Sequence, residues 1–192
     1  DWLPIVDGHV LPKGDRQAWK DGDFRVVDLM MGDAENEGLM FMHFGPPIPL
    51  TKAAYEAYMR EQYGDLGDEA LAVYPVASDE DVAYQLGLAT GDTLFAIASR
   101  EMSRYMMAHT PNVYRYHFTK HTSKNPVAVH GGESPYFFGN LTDEAYGDSD
   151  RALSAVMQQA KRNFIRTGNP NGGDVPPWTA YNPDDPYMLF GN

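Results

Sequence analysis

The chain has 192 residues, enough for one domain with its own core, and 15 Lys and Arg against 27 Asp and Glu give it a formal net charge of −12. This acidic balance argues against nucleic-acid binding, which needs a clustered basic face, and against docking on an anionic membrane. The lack of cysteine excludes disulfides, thiolate metal sites and a cysteine nucleophile, and the mean hydropathy of −0.47 comes with no apolar run long enough to predict a membrane span.

The first quarter of the chain contains one predicted strand between two predicted loops. Residues 1–23 are rich in Pro, Gly and Asp, which favours a surface loop. Residues 25–31 are mostly apolar and end at Gly32, a pattern typical of a largely buried strand. Three prolines predict another loop over residues 42–50.

Three helices are predicted between residues 51 and 110. Thr51 is a favoured N-cap residue at the start of the first helix. Ser78 has the same role in the second, over residues 78–90, where three acidic side chains follow in the first turn. Asp92 is predicted to cap a third helix, which runs to about residue 109 and stops before a proline.

The remainder of the chain contains two predicted strands and one predicted helix. Residues 113–118 alternate in the manner of a strand, residues 150–166 form an amphipathic helix that ends before Gly168, and residues 187–190 form a short last strand. The order of elements predicts an α/β fold with a mostly parallel sheet flanked by helices. Three strands are few for a parallel sheet, which predicts an incomplete sheet whose N-terminal half lies elsewhere.

Two short segments carry side chains that acid–base chemistry uses. GDAENEG at 32–38 directly follows one predicted strand, and HGGE at 130–133 follows the next. Taken alone, the first pattern is typical of a solvated turn and the second of a loop histidine without a function. However, polar groups at the carboxyl ends of parallel strands lie where α/β proteins bind ligands. The order, acid then histidine, is also the order of the last two members of the Ser–acid–His triad in α/β-hydrolases.

Six segments, taken in chain order, share the patterns of one protein family. They are PIVDG with a following LP at 4–12, GDAENEGLMF at 32–41, the D-x-x-F…R pattern at 92–100, VYRYHF at 113–118, AVHGGE with a following FG at 128–139, and NFIRTGNPNG with a following Trp at 163–178. Together they resemble the C-terminal part of type B carboxylesterases, the para-nitrobenzyl-esterase and cholinesterase-like branch of the α/β-hydrolases. The resemblance implies that residues 1–192 are a C-terminal fragment of a single carboxylesterase domain.

The same resemblance implies roles for individual residues. Glu37 matches the triad acid and His130 the triad base, and Glu35 competes for the role of the acid although no glycine follows it. The implied reaction is hydrolysis of a small-molecule carboxylic ester through an acyl-serine, with neither a metal nor an organic cofactor. His117 and His121 lie at a strand end without a third ligand motif, so no metal site is predicted.

Aromatic residues flank both motifs. Phe41, Phe44, Tyr136 and Phe137 could line an acyl or alcohol pocket, and core packing is the favoured interpretation.

The nucleophile of the family has no counterpart in the sequence. The elbow motif G-E-S-A-G is absent, and GESPY at 132–136 resembles only its first three residues. Ser134 is not predicted to be a nucleophile, because Pro135 replaces a residue of the elbow turn and the segment adjoins His130 directly. We therefore expect the chain to be inactive alone, with the serine supplied by an N-terminal part of a longer esterase.

The predicted partner is that N-terminal half or, in its absence, a second copy of this chain, because an incomplete sheet exposes a strand edge and apolar faces. The alternatives are a non-catalytic cholinesterase-like adhesion domain and a naturally truncated scaffold protein. The first residues show no signal peptide, and the compartment is left open: the cytoplasm is favoured, with a secreted or periplasmic location as the alternatives.

Overall fold

A three-stranded parallel sheet organises the chain, for which a computed structural model describes residues 4–42, 48–49, 51–142 and 144–191. The strands are β1 (Leu29–Ala34), β2 (Val113–Thr119) and β3 (Met188–Gly191), hydrogen-bonded in the order β1-β2-β3. Both pairings are parallel. The register places Asp33 beside His117, so the carboxyl ends of β1 and β2 meet at the same edge of the sheet.

Helices occupy the connections between the strands. They are α1 (Asp15–Asp21), α2 (Gly38–Phe41), α3 (Lys52–Tyr63), α4 (Gly67–Val73), α5 (Val82–Gly91), α6 (Ile97–Met107), α7 (Ser134–Phe138) and α8 (Asp148–Thr167). The expected α/β class with a small, open, mostly parallel sheet is therefore confirmed, and every described strand pair is parallel.

One face of the sheet carries the larger apolar core. Successive side chains of a strand point to opposite faces, so every second residue of β1 and β2 faces α7 and α8. The buried members of this cluster include Ala34, Tyr114, Phe118, Tyr136, Met157, Trp178 and Phe190. The indole N–H of Trp178 donates to the carbonyl of Arg115 over 2.9 Å, which joins the segment before β3 to β2.

The opposite face is apolar at one end and charged at the other. Near the start of β2, Val113 packs with Met106 of α6 and with Tyr181. Near the carboxyl end, the guanidinium of Arg115 donates to Asp33 over 2.7 Å, and both side chains are about nine-tenths buried. Burying this pair requires good hydrogen-bond geometry, because desolvation offsets much of the Coulomb attraction between the charges.

Several predicted elements are confirmed with shifted boundaries. Thr51 caps α3 and accepts the N–H of Ala54, and α8 ends at Gly168 in the left-handed conformation. β1 begins four residues later than predicted and continues through Gly32 instead of ending there. A β-carbon on Gly32 would lie 2.2 Å from the carbonyl oxygen of Tyr116, so this glycine permits a close approach within the sheet. The loop predicted over 42–50 falls mostly outside the described residues.

Two predictions are wrong. The expected loop over residues 1–23 contains α1, whose Trp19 stacks on Tyr105 of α6 with ring centroids 6.3 Å apart; this tertiary contact outweighs a composition typical of loops. Asp92 does not cap a separate helix, because a π-helical turn continues α5 into α6 through this residue. The Asp92 carboxylate instead accepts the hydroxyl of Tyr74 over 2.7 Å. Burial, reinforced by this hydrogen bond, raises the pKa of Tyr74.

Candidate active site

The acidic segment after β1 forms a tight turn that aims one carboxylate back at the strand. Glu37 directly precedes α2, and its Oε1 accepts the backbone N–H of Ala34 over 2.6 Å. Only 6% of the residue is exposed. One oxygen of Glu37 is therefore held by the backbone, which leaves the other oxygen available for a side-chain partner.

Close helix packing holds this turn in place. A β-carbon on Gly38 would lie 2.1 Å from the carbonyl oxygen of Gly87, so α2 can approach α5 this closely only with glycine at this position. The buried Asn36 adds a second connection, since its side-chain amide donates to the carbonyl of Tyr84 over 2.9 Å. The acid Glu37 is thus followed directly by the glycine that allows its turn to pack against α5.

His130 reaches the same place by a loop that returns from β2. The backbone N–H of Asn36 donates to the carbonyl of Ala128 over 2.9 Å, and Asn36 forms an isolated parallel bridge with Val129. The next residue is His130, and its Nδ1 lies 2.5 Å from Oε2 of Glu37. The structure therefore brings together the predicted acid and the predicted base, which are 93 residues apart in the sequence.

The contact also determines the tautomer of His130. An ionised carboxylate can only accept hydrogen bonds, so Nδ1–H is the donor and Nε2 of the neutral ring carries the lone pair. The His130 side chain is 39% exposed, whereas that of Glu37 is 8% exposed. A buried carboxylate thus orients a partly open imidazole, the arrangement in which a histidine acts as a general base.

Two aromatic rings confine the imidazole. The ring centroids of Phe41 and Phe95 lie 5.0 and 4.8 Å from that of His130. Of the other aromatics considered for the pocket, Tyr136 and Phe137 are buried in the core, as the favoured interpretation predicted. Phe44 lies outside the described residues.

Ser134 occupies a different environment from that of an elbow nucleophile. It is exposed and begins the five-residue helix α7 after a turn, with Pro135 as the second residue of that helix. Its backbone N–H donates to the carbonyl of Gly131, which belongs to the same turn. A nucleophile elbow needs a strand immediately before the serine, and residues 130–133 form a turn.

Two further carboxylate–histidine pairs lie beside the first. Asp33 Oδ1 lies 2.7 Å from Nδ1 of His117, and Glu35 Oε2 lies 2.5 Å from Nε2 of His121. Glu35, the competing candidate for the acid, thus has its own histidine. The Asp33–His117 pair escaped the sequence analysis, although the spacing of acids at 33, 35 and 37 was a signal that could have indicated it.

Glu133 of the HGGE motif is a fourth acid near this site. Burial raises the pKa of Glu133, and the nearby Glu37 carboxylate reinforces the increase while His130 opposes it. Its Oε2 is buried and has no hydrogen-bond partner among the residues that the structure describes. The local environment therefore favours the protonated form of this side chain more than water does.

Comparison with known proteins shows the family to which the sequence belongs. The sequence profile of the carboxylesterase family matches residues 1–191. The chain belongs to the carboxylesterase family. A fumonisin B1 esterase from Sphingopyxis macrogoltabida is 31% identical over 98% of the chain, and a mouse carboxylesterase 1C is 26% identical over 97%. An acetylcholinesterase from Leptinotarsa decemlineata is 24% identical over 97% of the chain.

This carboxylesterase-family chain spans little more than a third of the length of these relatives. The aligned region covers 37% of the fumonisin B1 esterase, 38% of carboxylesterase 1C and 33% of the acetylcholinesterase. The relatives are named as esterases, so the family carries out ester hydrolysis.

In the part of the chain that the structure describes, no helix combines the length and apolar composition needed to cross a bilayer. Among the same residues, no three or more His, Asp and Glu side chains are grouped so that they could hold a metal ion.

Proposed function

We propose that the chain is the C-terminal part of a serine carboxylesterase domain and supplies two members of a Ser–His–Glu triad. Glu37 is the acid, His130 is the base, and the serine comes from an N-terminal part of the protein. The observation that carries the proposal is the 2.5 Å contact from His130 Nδ1 to Glu37 Oε2, which leaves Nε2 of a partly exposed ring to accept a proton. The family relationship adds independent support.

In this mechanism His130 accepts and then returns one proton in each half-reaction, and Glu37 does not take it up. The serine hydroxyl attacks the ester carbonyl while His130 Nε2 takes its proton, and Glu37 stabilises the resulting imidazolium. His130 then donates that proton to the departing alkoxide, which leaves as the alcohol. The acyl group remains bound to the serine as an acyl-serine. Water, deprotonated by His130, attacks the acyl-serine, and the protonated His130 returns the proton to the serine as the carboxylic acid leaves.

We propose small-molecule carboxylic esters as the substrates, because the relatives are named as esterases. The reaction needs donors for the oxyanion as well as the nucleophile. We assign both to the N-terminal part, since the sequence has no G-x-S-x-G motif. On this basis the 192 residues alone are catalytically silent. The scheme uses no metal ion and no organic cofactor.

The exposed surface of the sheet supports a covalent or associated N-terminal half as the partner. Among the described residues, β1 and β3 are the edge strands of the sheet, and Leu29, Met30 and Met31 of β1 are only partly buried. Large apolar side chains remain exposed elsewhere, including Leu94, Ile97, Phe138 and Ile165. An unpaired strand edge and exposed apolar groups are features that proteins normally cover.

The test is labelling of the full-length protein with a fluorophosphonate, followed by intact mass and peptide mapping. We expect one label on a serine N-terminal to this chain. His130→Ala should slow labelling by roughly 10³-fold or more, because the general base is lost. His9→Ala, a change at an exposed histidine far from the site in sequence, is the matched control and should label at the rate of the wild type.

Two outcomes would contradict the proposal. A label on Ser134 would place the nucleophile on this chain and would require a new catalytic assignment. An unlabelled, folded full-length protein would instead favour the non-catalytic adhesion domain. The Glu37–His130 contact would then have no catalytic role.

A further inference from the structure

The second acid of the turn, Glu35, makes contacts that converge on the loop carrying His130. Its Oε2 accepts from Nε2–H of His121 over 2.5 Å and from the backbone N–H of Ala128 over 3.3 Å. Its Oε1 accepts the hydroxyl of Tyr84 over 3.0 Å. The Glu35 side chain is 20% exposed, so these bonds form in a largely desolvated place where they are stronger than in water.

The partners of Glu35 lie at the two ends of the loop that leads to His130 and on α5. Residues 120–130, here called the return loop, connect the end of β2 to His130. His121 lies at the start of the return loop and Ala128 lies two residues before His130, so one carboxylate oxygen binds both ends of the loop. Tyr84 belongs to α5, the helix against which the Glu37 turn packs.

The middle of the return loop lies at the surface. Residues 123–126 are exposed, and residues 120–128 contain no helix or strand. A local turn closes this part of the loop, with the N–H of Thr122 donating to the carbonyl of Asn125. The end of the return loop is held by the backbone pairing of Asn36 with Ala128 and Val129 and by the Glu35 bond to the N–H of Ala128, whereas the bond from His121 to Glu35 holds its start.

We propose that Glu35 is a positioning residue that acts through His121 and Ala128 to hold the return loop where His130 Nδ1 meets Glu37. This inference rests on the proposed function, in which His130 is the base. Glu35 has no role in proton transfer to the substrate, since its carboxylate is occupied by three donors. It acts on the imidazole indirectly, through the loop.

The charge state of Glu35 fits this role. Burial opposes ionisation of Glu35, but the hydrogen bonds from His121, Ala128 and Tyr84 outweigh it and lower the pKa of the carboxyl below its ordinary value. An ionised carboxylate makes charge-assisted hydrogen bonds, which are roughly twice as strong as neutral ones. Glutamine has nearly the same shape and lacks the charge, so Glu35→Gln is the informative substitution.

The first measurement is kinetic and uses the full-length protein with a chromogenic ester. We expect Glu35→Gln to lower kcat about tenfold to hundredfold with KM changed less than about twofold, because a displaced base affects the transition state rather than substrate binding. Tyr84→Phe should have a smaller effect, since it removes the bond to α5 and leaves the return loop bound. Glu101→Gln, which removes an equal charge from the exposed ion pair with Arg16, should leave kcat unchanged.

A double substitution tests whether the effect passes through His121. If Glu35 acts by binding His121, His121→Gln should add little to the loss caused by Glu35→Gln, whereas independent effects would multiply. Should Glu35→Gln fail to fold, His121→Gln alone carries the test, because it leaves the bonds of Glu35 to Tyr84 and Ala128 in place.

The second measurement is spectroscopic and does not depend on esterase activity. In the full-length protein labelled with ¹⁵N-histidine, the hydrogen-bonded Nδ1 proton of His130 should give a strongly downfield resonance, assigned by its loss in His130→Gln. We expect this resonance to weaken or disappear in Glu35→Gln and to persist in Glu101→Gln. A protein without turnover that shows this difference would refute the proposed function and keep the positioning role.

The positioning role itself is overturned by any of three results. The resonance could persist unchanged in Glu35→Gln, it could be absent from the wild-type protein, or kcat could stay at the wild-type value while thermal stability falls. The last result would mean that Glu35 contributes to stability alone.

Discussion

At the residue scale, the three acids at positions 33, 35 and 37, at the end of β1 and in the turn after it, each bind a different histidine. Asp33 binds His117 on β2, Glu35 binds His121 just after β2, and Glu37 binds His130, with donor–acceptor distances of 2.7, 2.5 and 2.5 Å. The environments differ as well as the partners. Asp33 also binds the buried Arg115, Glu35 accepts two further hydrogen bonds, and the second oxygen of Glu37 accepts from the backbone.

The hydrogen bonds of Glu35 predict a pH dependence of stability. Because the pKa of Glu35 is lowered in the folded state, the ionised carboxylate stabilises the fold at pH values above the unfolded-state pKa of about 4.5. This contribution is lost as the pH falls below 4.5 through the lowered pKa of the folded state. We expect Glu35→Gln to lower the free energy of unfolding at pH 7. The difference from the wild type should shrink at acidic pH, when the wild-type carboxyl is protonated.

Denaturant unfolding of the full-length protein at pH 7 and at an acidic pH below the lowered pKa of the folded-state carboxyl measures this difference. Glu56→Gln, a change in a more exposed pair with Arg60, is the control and should show little effect at either pH. A difference between wild type and Glu35→Gln that stays constant over this range would contradict the assignment of the stabilising charge to Glu35.

At the element scale, the approach of α2 to α5 depends on small residues at the contact. A β-carbon on Gly38 would lie 2.1 Å from the carbonyl oxygen of Gly87 and 2.7 Å from the backbone nitrogen of Gly91. Neither neighbour is a flexible side chain, so the two helices would have to separate. The turn that carries Glu37 would move with α2.

We therefore expect Gly38→Ala to destabilise the protein by about 1–3 kcal/mol, the range typical of overpacking. It should also impair any activity that uses Glu37. Thermal or denaturant unfolding measures the first effect. Gly14→Ala is the control, since Gly14 has an ordinary φ of −61° with no atom within 4 Å of its β-carbon position, and it should cost less than about 1 kcal/mol.

At the scale of the whole molecule, the sheet that the described residues form has two open edges. The strand order β1-β2-β3 leaves β1 and β3 at these edges, and the relatives are more than twice as long as the chain. Edge strands with free N–H and C=O groups pair readily with other chains. A polypeptide of these 192 residues therefore has these unpaired edges together with the exposed apolar side chains noted above.

We expect the isolated 192-residue polypeptide to self-associate, and to become monodisperse when it is co-expressed with the N-terminal part of the same protein. Size-exclusion chromatography with light scattering distinguishes the two states, and the full-length protein is the control. A stable monomer of 21.4 kDa at micromolar concentration would show that these edges need no partner.

Most local elements and the family can be inferred from the amino-acid sequence alone. The capping residue Thr51, the alternation in β2 and the glycine after α8 act over a few residues, so their effects can be inferred without the fold. The order of the motifs indicated the carboxylesterase family, which the family profile confirms. The same motifs singled out Glu37 and His130, whose catalytic roles stay predictions.

Only the three-dimensional structure shows which acid contacts which histidine. The acids and histidines of the three pairs are 84 to 93 residues apart, and their matching depends on the register of β1 against β2 and on the path of the return loop. Contacts between distant segments also accompany the two elements that the sequence missed, with Trp19 of α1 on Tyr105 and the hydroxyl of Tyr74 bonded to Asp92 in the π-helical turn. Such outcomes depend on packing between distant segments, and neither local propensity nor residue spacing contains that information.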